Sequence, residues 1–99
     1  MTTKKLPAWL NLAADRVTVT LSKPTDMNGV QVDKVSLRSP TVRDIRAAQQ
    51  GVGEDDEQRE LNLFASLAEV GVKDLEGLTL KDYSRLQTGY FRLVQDDDV

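Results

Sequence analysis

Four carboxylates in a row, Glu54-Asp55-Asp56-Glu57, are the first residues whose type suggests chemistry. Clustered acids can bind a divalent cation, but these lack the spaced, convergent ligands of a calcium loop. They stand instead where a helix begins, and acids there complement the helix dipole while staying solvated. A second charged set, Lys81, Arg85 and Arg92, falls along one face of a helical stretch. It reads as a solvated face, or as a site for an acidic helix of a partner. The chain contains neither histidine nor cysteine. That removes the commonest general base, the commonest transition-metal ligand, thiolate metal sites and disulfides. Asp, Glu, Tyr and Lys remain, but no constellation sets a nucleophile beside a base. No catalytic residue, metal ligand or cofactor is expected, and the protein is not expected to be an enzyme.

The elements that carry these residues must come from a short chain. With 99 residues, 39% of them apolar, it can build one small core but not two. A net charge of -3, with Lys and Arg dispersed, argues against a nucleic-acid partner, which wants clustered positive charge. No apolar run approaches the roughly 20 residues that span a bilayer, so no membrane partner is expected. The start, Met1 to Pro7, has basic residues without the apolar stretch of a signal peptide, so a cytoplasmic protein is expected.

Residues 1–15 read as an N-terminal extension, polar and disordered over residues 1–5. Leu6, Trp9, Leu10 and Ala13 then fall on one face of a short helix that opens near Pro7. Trp9, the only tryptophan, either caps the open end of the core or anchors a partner. Arg16-Val17-Thr18-Val19-Thr20-Leu21 alternates as a half-buried strand, and Pro24 should end it. Asp26-Met27-Asn28-Gly29 is hairpin turn chemistry, with a mobile Pro24–Gly29 connection. The returning strand runs to about residue 38. Val30 and Val32 cannot share a face with Val35 and Leu37 unless a bulge lies at Asp33-Lys34 or the turn is longer.

Thr41 and Asp44 spell a capping box for a first helix, Val42 to Gln50, whose buried stripe would be Val42, Ile45 and Ala47 or Ala48. A second helix, Glu54 to Val70, carries one stripe of Leu61, Phe64, Ala65 and Ala68 and another of Leu63, Leu67 and Val70. Together they cover more than half its circumference, so it is either central in the core or buried also against another chain. Gly71 is its natural stop. A connector with Leu75 and Leu78 inward leads to a third helix, Leu80 to Gln95, begun by Thr79 and Asp82. Its apolar face is Leu80, Tyr83, Leu86, Tyr90, Leu93 and Val94, with Phe91 at the edge, and Gly89 admits a close approach. An acidic tail, 96–99, should end it. The expected fold is α+β: an N-terminal β-hairpin followed by about three helices in one small domain, 16–95.

The order of these segments resembles the small tail assembly chaperones of Mu-like and related contractile-tailed phages. The residues that carry the resemblance are Val19-Thr20-Leu21-Ser22-Lys23-Pro24, a turn at Gly29, and the run from Val35 to Ala48 with Leu37-Arg38-Ser39-Pro40-Thr41 and Asp44-Ile45-Arg46-Ala47-Ala48 at its heart. Leu75, Leu78, Asp82, Tyr83, Leu86 and Gln87 match the last segment. The resemblance spans about Val17 to Leu93 and leaves Trp9 outside. It implies a non-enzymatic protein that binds the long, helical tape-measure protein and keeps it soluble until the tail tube polymerises around it. A structural adaptor in the tail or virion, and a small nucleic-acid-binding regulator, are the alternatives. On the chaperone reading, the surplus apolar surface of the second helix makes Leu63, Leu67 and Val70 the expected contact surface. Tyr90 and the Lys81, Arg85, Arg92 stripe would form its rim, with Trp9 as a further anchor. The same surface would favour self-association when no client is bound.

Overall fold

In the computed structural model, which describes residues 6–95, the alternating segments form a three-stranded antiparallel sheet in the order β1-β2-β3. The strands are β1 (Leu10–Leu12), β2 (Arg16–Met27) and β3 (Val30–Arg38). Four helices follow: α1 (Val42–Gln49), α2 (Asp56–Ala68), α3 (Val72–Glu76) and α4 (Leu80–Val94). The fold is α+β, with one more strand and one more short helix than the sequence pattern suggests. The disordered start expected over 1–5 and the acidic tail expected over 96–99 lie outside the described residues.

The extra strand replaces the expected N-terminal helix. A single turn, closed by the Leu10 amide on the Pro7 carbonyl at 3.0 Å, uses up the helical spacing. Leu10 and Leu12 then pair with Val19 and Val17. The exposed edge of β2 needs partners for its amides and carbonyls, and a four-residue apolar stripe in a short helix could not supply them. Leu10 is buried beneath α4, Leu12 and Trp9 are half-buried, and Ala13 is exposed.

The hairpin turn has the expected form, with φ 56° at Asn28 and 79° at Gly29. Both central residues are left-handed, as a two-residue type I′ connection requires. The Asn28 side chain donates to the Glu69 carbonyl at 3.2 Å, and its amide donates to Asp74 Oδ2 at 3.3 Å. The tip is thus tied to α2 and α3 rather than free. The ladder breaks where the parity of the valines requires, but the surplus residues are on the other strand: Leu21–Pro24 stand opposite Asp33 alone. Pro24 does not end β2. It sits in the irregular stretch, where its missing N–H leaves no ladder bond unmade.

One face of the sheet is apolar and carries Val17, Val19, Leu21, Met27, Val35 and Leu37. The other is polar, with the Thr18 and Ser36 hydroxyls bonded at 2.9 Å. The helices cover the apolar face. Phe64, Leu67, Leu75 and Leu86 are sealed against it. Leu63 and Leu67 are buried with Phe64 and Ala65, so both stripes of α2 serve the chain's own core. The central-core reading of this helix is the right one. Its end is set by Glu69 at φ 61°, not by Gly71, which instead precedes α3.

At α1 the capping box forms in full: Thr41 accepts from the Asp44 amide, and Asp44 accepts from the Thr41 amide at 2.8 Å. Arg38 reaches from the end of β3 to the same carboxylate with two bonds, at 2.8 and 3.1 Å. The Arg38 hydrogen bond, then the Thr41 amide, hold Asp44 well below the usual carboxylate range. This pinning fixes α1 by its polar start, and only Ala48 of its expected stripe is buried. Val42 is 76% exposed and Ile45 40%. Val42 faces outward, while Ile45 lines an open groove with residues of α2 and α4.

The fold turns on Asp82, the one buried charged residue among those described. Thr79 caps α4 by accepting from the Asp82 amide, but the Asp82 carboxylate turns to the sheet instead of completing a capping box. It accepts the Ser22 amide at 2.7 Å, inside the irregular stretch of β2. Three residues on, Arg85 donates to the Thr20 carbonyl at 2.8 Å. Side chains of α4 therefore satisfy backbone groups of β2 within its irregular stretch and just before it. Further along, α4 lies so close to the sheet that a Cβ on Gly89 would stand 3.0 Å from Val19 Cγ2 and 3.2 Å from Leu10 Cδ1. The close approach is to sheet side chains, and it explains glycine in mid-helix.

Burial pushes the Asp82 carboxyl up, but the hydrogen bonds from Ser22 and Lys23 outweigh it and hold it below its ordinary value. Its charged form therefore stabilises the fold above the unfolded pKa of about 4, and that contribution is lost as pH falls below it. Asp82→Ala leaves the Ser22 amide without its acceptor and should cost about 1–3 kcal/mol in urea unfolding at neutral pH. Asp82→Asn should remove part of the acid-side loss of stability, read as a flatter dependence of the urea midpoint between about pH 5 and 3. Gly89→Leu should cost about 2–3 kcal/mol through overpacking against β1 and β2.

Candidate functional site

The predicted contact residues do not form one surface. Leu63 and Leu67 are 6% and 2% exposed and belong to the core, so neither is available at the surface of the folded chain. Val70 is half-buried against the same cluster. The reason is the length of the sheet: β2 and β3 present more apolar area than one helical stripe can cover, and α2 turns both of its stripes to the task.

Of the basic stripe, Lys81 is exposed and Arg85 is engaged. The Arg85 guanidinium lies 5.0 Å from the Trp9 ring centre while bonding Thr20. Trp9 is thus half-buried beneath a cation of its own chain, a packing role. Arg92 is half-buried, and its Nε is enclosed without a hydrogen-bond partner among the described residues. Of the three, Arg85 is the one placed against the segment that leads into β1. Tyr90 lies on the other side of α4 from Arg92, since two residues along a helix turn about 200°.

Tyr90 does border a surface. An open groove of about 350 Å³ runs between α1, α2 and the second half of α4, lined by Ile45, Ala48, Arg59, Glu60, Leu63, Phe64 and Tyr90. Its floor is Phe64, whose ring centre is 5.2 Å from that of Tyr90 and 5.7 Å from that of Tyr83. Glu60 spans from α2 to α4, accepting from the Tyr83 hydroxyl at 2.8 Å and the Gln87 amide at 2.9 Å. Burial, then the Glu60 carboxylate, raise the Tyr83 phenol well above its usual range, so it stays a donor. Burial followed by the Glu60 charge raises Tyr90 likewise.

Along α4 runs an apolar stripe that is largely exposed. Leu80 is 86% exposed, Phe91 70% and Val94 44%. The sequence pattern assigned Leu80 and Val94 to the inner face. The helix rests on the sheet through Leu86 and Gly89, and both residues are turned about 100° or more from that line. Phe91, read only as an edge residue, is the largest exposed apolar side chain. Sequence periodicity could not separate these residues from the core, because the apolar positions of α4 extend past the arc that the sheet covers.

Chemically the site offers an apolar shelf, an aromatic floor and a carboxylate already engaged. Among the described residues no group of His, Cys, Asp or Glu could hold a metal ion, and no helix is long and apolar enough to cross a membrane. Fold and site together define a small α+β domain with an exposed apolar helix face. The chain belongs to the family described as "Phage tail assembly chaperone proteins, E, or 41 or 14", whose model matches residues 18–95. No curated protein and no solved structure matches it.

Because Phe91 is mostly exposed, Phe91→Asp should leave the urea midpoint within the equivalent of about 0.5 kcal/mol. Leu67→Asp, which buries a charge, should fail to fold. Circular dichroism of both variants checks the separation of shelf from core.

Proposed function

We propose that this chain holds the tape-measure protein in solution during tail assembly, without catalysis, in the host bacterial cytoplasm. The observation that carries the reading is the exposed stripe of Phe91 and Val94 together with the groove floored by Phe64 and Tyr90. A long helical client exposes apolar side chains at i, i+3, i+4 and i+7 until its tube forms, and a helix in a groove is the physical mode that covers them. Client side chains would seat on the stripe and on Ile45 and Tyr90, at the two margins of the groove. Binding the unassembled client then keeps it soluble by mass action. The membership of the chain in the tail assembly chaperones supports a protein partner of this kind.

Co-expression with the tape-measure protein of the same phage tests the proposal. The expected result is a soluble client that co-purifies with the chaperone. Phe91→Asp should lower the recovered complex at least about tenfold while the variant remains folded, as a lost central anchor of an interface does. A client that stays insoluble, or a complex undiminished by Phe91→Asp and Ile45→Asp together, would contradict the assignment. Recovery of the chain from purified virions would point instead to a structural adaptor.

A further inference from the structure

The hairpin tip carries the dipeptide Asn28-Gly29, and both residues are exposed. Asparagine before glycine is chemically the most labile asparagine in water, because glycine has no side chain to shield its own backbone nitrogen. The other asparagines, Asn11 and Asn62, each precede a leucine. Asn28 is therefore the asparagine whose carboxamide is sterically open to attack from within the chain.

The reaction needs no co-reactant beyond water. The Gly29 backbone nitrogen gives up its proton and bonds to Asn28 Cγ. The Cγ–Nδ2 bond breaks, and Nδ2 leaves as ammonia with that proton. Water then opens the succinimide ring at either carbonyl, leaving aspartate or isoaspartate at position 28. A neutral amide becomes a carboxylate, with a gain of about one mass unit.

In the folded chain the carboxamide is held off this path. Asn28 Nδ2 donates to the carbonyl of Glu69, the C-cap of α2, at 3.2 Å. The Asn28 backbone amide donates to Asp74 Oδ2 at 3.3 Å, and the same oxygen accepts the Gly71 amide at 3.1 Å where α3 begins. The nitrogen that must leave is thus the one that fastens the tip to α2. Closing the ring swings the carboxamide toward Gly29 and breaks that bond first. The product cannot remake it, since a carboxylate only accepts and would face the Glu69 carbonyl oxygen, with the Asp74 carboxylate nearby. Isoaspartate also adds a methylene to the backbone of a two-residue turn whose flanking residues, Met27 and Val30, are paired.

We propose that Asn28 is a deamidation site kept dormant by Glu69 and Asp74, and that its reaction permanently unfastens the hairpin tip from the junction of α2 and α3. Local opening of the tip sets the rate. A chain that has opened and reacted loses this joint for good, while Phe91, far along the chain on α4, is chemically untouched. The inference does not depend on the surface assigned to the client.

Peptide mass spectrometry of the full chain, aged in warm neutral buffer, tests it, with Asn11 and Asn62 as internal controls. Chain unfolded in urea should deamidate at Asn28, and folded chain at least about tenfold more slowly, because only its open fraction reacts. Asp74→Ala should speed the folded reaction at least about threefold, whereas Asp74→Asn, which keeps an acceptor oxygen, should stay close to wild type. Circular dichroism sets the ageing temperature, below the melting transition of each protein. The wild-type chain itself gives a second measurement. Its deamidated form, separated by the added charge, should show faster hydrogen exchange over residues 27–30 than the unreacted form. Folded and unfolded chain reacting at one rate would overturn the proposal. So would an unchanged rate in Asp74→Ala, or a deamidated chain whose tip exchanges as slowly as before.

Discussion

The hydrogen bond from the Ser22 amide to the buried Asp82 carboxylate is the constraint on which the rest of the structure depends. β2 is too long and too irregular to be satisfied by its neighbours: β1 reaches only Val17–Val19, and β3 loses register between Thr20 and Thr25. Without a partner the backbone of that stretch would carry unmet polar groups against an apolar core. Asp82 and Arg85 supply the partners from α4, and in doing so they lock the rotation of the helix about its own axis. Once Asp82 faces the sheet, Gly89 must meet Val19 and Leu10, and Phe91 must face away. The buried carboxylate thereby determines which apolar side chains of α4 form core and which form surface.

The same logic runs through the other joints. The Asn28 tip is fastened to Glu69 and Asp74, and the start of α1 to Arg38, so the hairpin is clasped at both ends by helix-forming segments. These polar joints fix geometry at modest energetic cost, while the sheet and the two stripes of α2 provide the burial. A domain of this size uses nearly all of its apolar surface for its own stability. The apolar surface that remains exposed on α4 is therefore informative, because little of it is surplus by chance.

Much of the fold was legible in the sequence because its signals are local. The type I′ turn at Asn28-Gly29, the capping box at Thr41 and Asp44, and the helix start at Thr79 each depend on residues within a few positions of one another. The parity clash between Val32 and Val35 likewise announced a break in register. The failures that bear on the site are long-range. The Leu6–Ala13 stripe had helical spacing, but the open edge of β2 claimed Leu10–Leu12 for a strand. Leu63 and Leu67 looked surplus because nothing local says how wide a sheet α2 must cover. Trp9 and Arg85, singled out separately as partner contacts, turn out to stack on one another. The shelf was missed for the same reason: Phe91 and Leu86 share a helix and an apolar character, and only the rotation fixed by Asp82 tells them apart.

The central claim is that the client lies on the Phe91 side of α4 and not on its cationic side. A photo-crosslinking amino acid placed at Phe91, and separately at Lys81, during co-expression with the tape-measure protein tests it most directly. Both side chains are exposed, and they stand about 80° apart around α4 and about 15 Å apart along it. The account predicts a crosslinked chaperone–client band from position 91 and none from position 81. A band from position 81 alone would contradict it, and would place the client on the Lys81 side of α4 instead.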